Sequence, residues 1–127
     1  MSKKIIFTNK APHPIGPYSQ AVLANDTLYI SMQLPMNAKT RLLEMDSLEV
    51  QVEQVMYNIG VILEEVSMDY TNIVKSSIFI TDMDNFLLIN DVYAKYFKSH
   101  EPARELCEVS WLPKDVDVAI SCIAVKS

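Results

Sequence analysis

The run Asp115–Val125, DVDVAISCIAV, constrains this chain more than any other stretch, because it is apolar in both of its alternations. Val116, Val118, Ile120, Cys122 and Ala124 form one set, and Ala119, Ile123 and Val125 belong to the other. Strand side chains point alternately to the two faces of a sheet, so a strand of this composition needs an apolar cover on both. Two helices are available. From Asp46 to Val66, Leu48, Val52, Val55, Met56, Ile59, Ile62, Leu63 and Val66 recur at three- and four-residue steps, while Glu49, Glu53, Glu64 and Glu65 take the opposite face. Asp46 with Glu49 fits an N-cap and its capping-box partner. A second helix is expected over Asp84–Lys98, where Phe86, Ile89, Tyr93, Tyr96 and Phe97 share a face and Pro102 limits continuation.

The remaining apolar runs read as strands: a short one around Ile5–Phe7, then QAVLA and TLYISM joined by Asn25-Asp26, IVKSSIFIT, ARELCEVSW, and VDVAISCIAV. Asn-Asp between two such runs is a hairpin signal. The order β-β-β-α-β-α-β-β contains two βαβ units, whose right-handed crossovers put both helices on one side of a single α/β sheet. The other face then lacks a cover, and self-association is the simplest remedy. No repeat or linker interrupts residues 1–127, which are expected to form one domain.

Half of the residues are hydrophobic and 21% are charged, a globular composition. The net charge of -5 and the scattered lysines provide no basic patch for a run of phosphates, so nucleic acid is a poor candidate partner. No apolar run approaches the ~20 residues that span a bilayer, and MSKKIIFTNK lacks a signal-peptide core. A soluble, cytoplasmic protein is expected. Cys107 and Cys122 have neither CxxC spacing nor a histidine nearby, and read as small buried hydrophobes rather than metal ligands or a redox pair. With only two glycines, each is expected to have a backbone reason.

Arg104 is one of two arginines and begins a strand that reads as largely buried. An ion pair at a sheet edge is its ordinary explanation. A buried guanidinium demands an anion, however, and its planar fork matches a carboxylate, whether a neighbour's or a ligand's. Asn90 falls on the apolar face of the second helix, where its amide either bridges backbone or projects into a cleft. Tyr18 follows the turn Gly16-Pro17, and Ser31 and Gln33 end a strand before Pro35; such residues pack, lie on the surface or line clefts. His13 and His100 have no triad partners at recognisable spacing, and no Gly-rich loop exists to cradle phosphate.

Together, IGPYSQA, SMQLP, the helix carrying Asn90, PAR at Pro102–Arg104, and EVSWLPKDVDV resemble the Rid family, the 2-iminobutanoate/2-iminopropanoate deaminases also called YjgF or L-PSP proteins. The resemblance implies a chorismate-mutase-like α/β fold and a homotrimer with a central β-barrel, helices outside, and ligand clefts between subunits. It implies that Arg104 grips the carboxylate of a small substrate and that Tyr18, Asn90 and the Ser121 position complete the catalytic set. Ser31, Met32, Gln33 and the backbone of Leu106 would contact substrate or the attacking water. The implied reaction hydrolyses an unstable 2-imino acid to a 2-oxo acid and ammonia, without metal or cofactor. Ser121 stands where the family usually has glutamate and Met32 where it commonly has glycine. Glu105, Cys107 and Arg41 also depart from the pattern, Arg41 replacing a usual turn glycine. A serine hydroxyl is far too weak a base to replace a carboxylate, so slow hydrolysis is expected, with a non-catalytic module binding small carboxylate metabolites as the alternative. The resemblance also implies a third reading, single-stranded RNA cleavage, which the acidic balance opposes.

Overall fold

Asn25 and Asp26 form the tight turn that the sequence announces, with Asn25 at φ 55°, a left-handed conformation that asparagine tolerates. The turn joins β2 (Ala21–Ala24) to β3 (Thr27–Gln33), and β1 (Lys3–Ile6) pairs antiparallel with β2. The computed structural model describes residues 2–127. The chain continues through α1 (Leu48–Glu65), β4 (Ile73–Ile80), α2 (Phe86–Ala94), β5 (Ala103–Glu108) and β6 (Val118–Val125). One six-stranded sheet results, in the order β1-β2-β3-β6-β4-β5. Because β6 is antiparallel to both β3 and β4, those two run parallel with β6 between them, while β4 and β5 pair directly in parallel.

Both helices cover one face. Val52, Val55, Met56, Ile59, Ile62 and Leu63 of α1 and Ile89, Val92 and Tyr93 of α2 share one core with Leu28, Ile78, Ile80, Ile120 and Cys122 of the sheet. The other face is only partly covered. Near one end, Leu112, Val116 and Ala119 form a small cluster with Met32, Leu34, Leu43, Phe79 and Val109. Elsewhere it stays open, with Ile5 70% and Tyr29 49% exposed, and Ile123 half-buried beside Tyr29.

The helix ends differ from the sequence expectation. Ser47, not Asp46, caps α1: its backbone is extended and its hydroxyl accepts from Val50 N at 3.1 Å. That step of three residues leaves Glu49 inside the first turn, where its charge still favours the helix dipole but closes no capping box. Before α2, Asp82 accepts from Asp84 N at 2.9 Å and starts a 3₁₀ turn over Met83–Asn85, which delays the α-helix to Phe86. At its far end, Lys95, Tyr96 and Phe97 donate to carbonyls three residues back, so the chain tightens after Ala94 well short of Lys98.

Neither glycine adopts a positive φ. Gly60 is explained by close approach instead: a Cβ there would lie 2.4 Å from Tyr70 Oη. Its absence lets that hydroxyl donate to Met56 O at 2.7 Å, tying the loop after α1 to the helix.

Candidate ligand-binding site

Arg104 lies on β5 in register with Ser76 of β4, and so points to the helix side of the sheet. The strand is not buried as the sequence suggested. It is an edge paired only with β4, and all of its residues but the half-buried Leu106 are exposed. Strand order, which local composition does not encode, is the reason. Arg104 Nη1 donates to Asn90 Oδ1 at 2.7 Å, and its Cζ stands 5.5 Å from the centre of the Tyr93 ring, within cation–π range. Tyr93 is fixed in turn, its hydroxyl donating to the buried Ser76 Oγ at 2.8 Å. Burial pushes the Tyr93 phenol above its ordinary value despite the nearby guanidinium, so it remains a donor.

Among the described residues, no carboxylate pairs with Arg104. The ion pairs among the described residues are Lys75–Glu105 and Lys95–Glu49. Glu101 lines the same concavity, of about 350 Å³, without pairing with it. One nitrogen of the guanidinium fork is held by an amide and a ring carries its charge, which leaves the rest of the fork for an anion from outside. The Asn90 amide oxygen thus meets the guanidinium rather than backbone.

Tyr18, Ser31 and Met32 meet elsewhere. With Ile15, Leu34 and Pro113 they line a second concavity of about 420 Å³. Ser31 Oγ donates to Ser19 O at 2.7 Å, and Ser31 N to Gln20 O at 2.9 Å, which stitches the segment after Gly16-Pro17 to the end of β3. The buried Gln20 accepts from Thr8 N at 2.8 Å and donates to the carbonyls of Thr8, Ala11 and Pro12, fixing the loop before Tyr18. Gln33 is buried, its amide 3.2 Å from Ser31 O, and lines only the narrow crevice behind Met32.

Ser121 lines neither concavity. It lies on the open face of β6, opposite Ser77 of β4, and Ser77 is opposite Glu105 of β5. The Glu105 carboxylate accepts from Ser77 Oγ at 2.7 Å and sits 3.6 Å from Lys75 Nζ. The Ser77 hydroxyl, and then Lys75, hold its carboxyl below the ordinary range. Leu106 turns its side chain toward the core, packed beside the buried residues. Cys107 is exposed on the edge strand, contrary to its reading as a buried hydrophobe, whereas Cys122 is buried as expected. Among the described residues, no group of three or more His, Cys, Asp or Glu could hold a metal, and no helix is long and apolar enough to cross a membrane.

The sequence thus names two sets that the folded chain keeps apart: Arg104 with Asn90, and Tyr18 with Ser31 and Met32. The Endoribonuclease L-PSP family model matches residues 8–126, nearly the whole chain. The chain belongs to the Rid (L-PSP) family. Among Rid relatives, a RutC family protein of Pyrococcus horikoshii is 44% identical over 124 residues, covering 98% of both chains. The 2-iminobutanoate/2-iminopropanoate deaminase of Bos taurus is 45% identical over 124 residues, covering 98% of this chain and 90% of the relative. The Rid protein YyfA of Yersinia pestis has the same fold, with a TM-score of 0.95 at 44% identity over 98% of this chain and 100% of its own. TdcF of E. coli, solved with bound serine, superposes with a TM-score of 0.93 at 35% identity, covering 98% and 99%.

Sequence reasoning missed Tyr93 as the support of Arg104, and Ile15, Leu34 and Pro113 as cleft walls. Tyr93 carried a usable signal: on α2 it falls three residues after Asn90, which puts the two side by side. The cleft walls come from three separate loops and carried none.

Proposed function

We propose that this Rid protein hydrolyses small 2-imino acids, 2-iminopropanoate and 2-iminobutanoate, to 2-oxo acids and ammonia in clefts completed between the protomers of a homotrimer. The unneutralised Arg104, held by Asn90 and Tyr93 at the mouth of a concavity, carries this reading. The deaminase name borne by relatives near 45% identity supports it. So do the separation of the two half-sites and the partly open sheet face, since a second copy would supply both a cover and the missing half.

Arg104 binds the substrate carboxylate through its remaining donors and fixes the planar imine. Water attacks the electrophilic carbon and the C=N electron pair moves to nitrogen; both protons of the water pass to that nitrogen, and an oxygen electron pair closes the C=O bond as the C–N bond breaks to release ammonia. The Leu106 carbonyl, on the same edge strand, and the Tyr18 and Ser31 hydroxyls of a neighbouring protomer orient the water and the departing amine. Much of the rate enhancement then comes from proximity and orientation. With serine at position 121 no carboxylate takes the water's proton, so turnover is slow relative to a glutamate-bearing relative.

The test is incubation with freshly generated 2-iminopropanoate while 2-oxo acid formation is timed. Formation faster than in buffer, and lost in Arg104→Ala, supports hydrolysis; a rate equal to buffer rejects it. Ser121 favours a second reading, that the cleft binds carboxylate metabolites without turnover. A thermal shift with 2-oxobutanoate in a protein lacking hydrolysis would select that reading, and no shift would remove it.

A further inference from the structure

Beside the Tyr18–Ser31–Met32 cleft lies a third concavity, of about 310 Å³, lined by His13, Ile15, Asn37, Arg41 and Lys114 among others, and by no carboxylate. Ile15 is common to it and the cleft, and Lys114 follows the cleft residue Pro113 in the chain. Two cations on one wall with no acid are notable in a protein of net charge -5. Two carboxylates close in the chain are hydrogen-bonded to neutral groups, Glu44 accepting from Asn37 Nδ2 of this concavity at 3.2 Å and Asp115 from Trp111 Nε1 at 3.2 Å. His13 Nε2 is 3.1 Å from Asn9 Oδ1. Neither Arg41 nor Lys114 forms an ion pair among the described residues.

Both cations stand on left-handed backbone, Arg41 at φ 63° and Lys114 at φ 58°. Such a conformation costs a residue with a Cβ about 1–2 kcal/mol, and residues held in it cluster where function needs a side chain presented in one direction. A loop selected for stability alone would carry glycine or asparagine at either position.

We infer that Arg41 and Lys114 form a second anion subsite, which receives the distal carboxylate of a 2-imino or 2-oxo dicarboxylic acid whose first carboxylate is held by Arg104. The inference rests on the cleft assignment above and extends its substrate class from monocarboxylic to small dicarboxylic acids. The reaction itself is unchanged: water adds at the imine carbon, and ammonia leaves to give the 2-oxo dicarboxylate.

The test compares calorimetric binding of 2-oxoglutarate with that of 2-oxopentanoate, which has the same chain length and no distal charge. Wild type is expected to prefer 2-oxoglutarate by about fivefold or more at low salt, the size of one to two partly exposed ion pairs. Raising the ionic strength should shrink the ratio. Arg41→Gly and Lys114→Asn place residues suited to left-handed backbone, so both variants should fold, and each should move the ratio toward one. Equal affinities in wild type, or a preference that survives both substitutions, overturns the inference. Binding of 2-oxopentanoate that disappears in Arg104→Ala would leave the cleft assignment standing in that event. If neither acid binds, the cleft assignment and the inference fall together.

Discussion

Gly60→Ala should destabilise the protein although alanine is the better helix former. Helix propensity alone predicts a gain of about 1 kcal/mol for this change inside α1. The added Cβ would lie 2.4 Å from Tyr70 Oη and 3.0 Å from its Cζ, well inside van der Waals contact. Tyr70 must retreat by about 1 Å, enough to break its 2.7 Å hydrogen bond to Met56 O. Its ring cannot swing aside freely, since Tyr96 packs edge-on at 5.2 Å and Phe97 at 6.4 Å. The lost hydrogen bond costs about 1 kcal/mol, and the overpacking about 1–3 kcal/mol. After the propensity gain, the net loss is about 1–3 kcal/mol. In a Tyr70→Phe background the hydroxyl is gone, and Gly60→Ala should become nearly neutral or mildly stabilising. Urea unfolding of the four proteins at one fixed concentration gives the coupling between the two sites. A raised midpoint for Gly60→Ala alone, or the same effect in both backgrounds, would refute the steric argument.

Arg104→Lys should weaken binding of 2-oxobutanoate at least about tenfold despite preserving the charge, because lysine lacks the planar fork and the fit to the Tyr93 ring; titration calorimetry measures it, and wild-type affinity would mean that a point charge suffices. Ser121→Glu should raise 2-iminopropanoate hydrolysis by roughly 10²-fold, read from initial rates; no gain would point to Met32 as the residue that alters the cleft. Burial pushes the Cys122 thiol from 9.0 up to about 12, with a smaller opposing pull from Ser76. The folded state therefore holds a proton that the unfolded chain releases, and stability should fall as pH rises from about 9 to about 12. Cys122→Ala should flatten that part of the pH profile in denaturation experiments.

The element order was legible because each segment carries its own period: three- and four-residue steps mark α1 and α2, and alternation or continuous apolar runs mark the strands. The single-residue error at the α1 cap arose because Asp46 and Ser47 are both good caps, and only the backbone geometry selects the residue whose hydroxyl reaches Val50 N. The late start of α2 has the same local cause, since Asp82 claims the first turn for itself. What the chain does not write locally is neighbourhood. Nothing within ARELCE says that β5 lies at an edge, and that fact alone decides that Cys107 is exposed and that Arg104 borders open space. Arg104 and Asn90 were legible as oddities because each breaks its element's pattern. Ile15, Leu34 and Pro113 break none, and only the folded loops bring them to one wall.

The position of β6 has a consequence for how the molecule is made. The strand joining the β1–β3 meander to the β4–β5 pair is the one that follows all the others in the chain. During synthesis, both halves of the sheet leave the ribosome with a long edge unpaired, and only the arrival of residues 118–125 zips them together. Until then each half of the sheet keeps one long edge open to pairing with other chains.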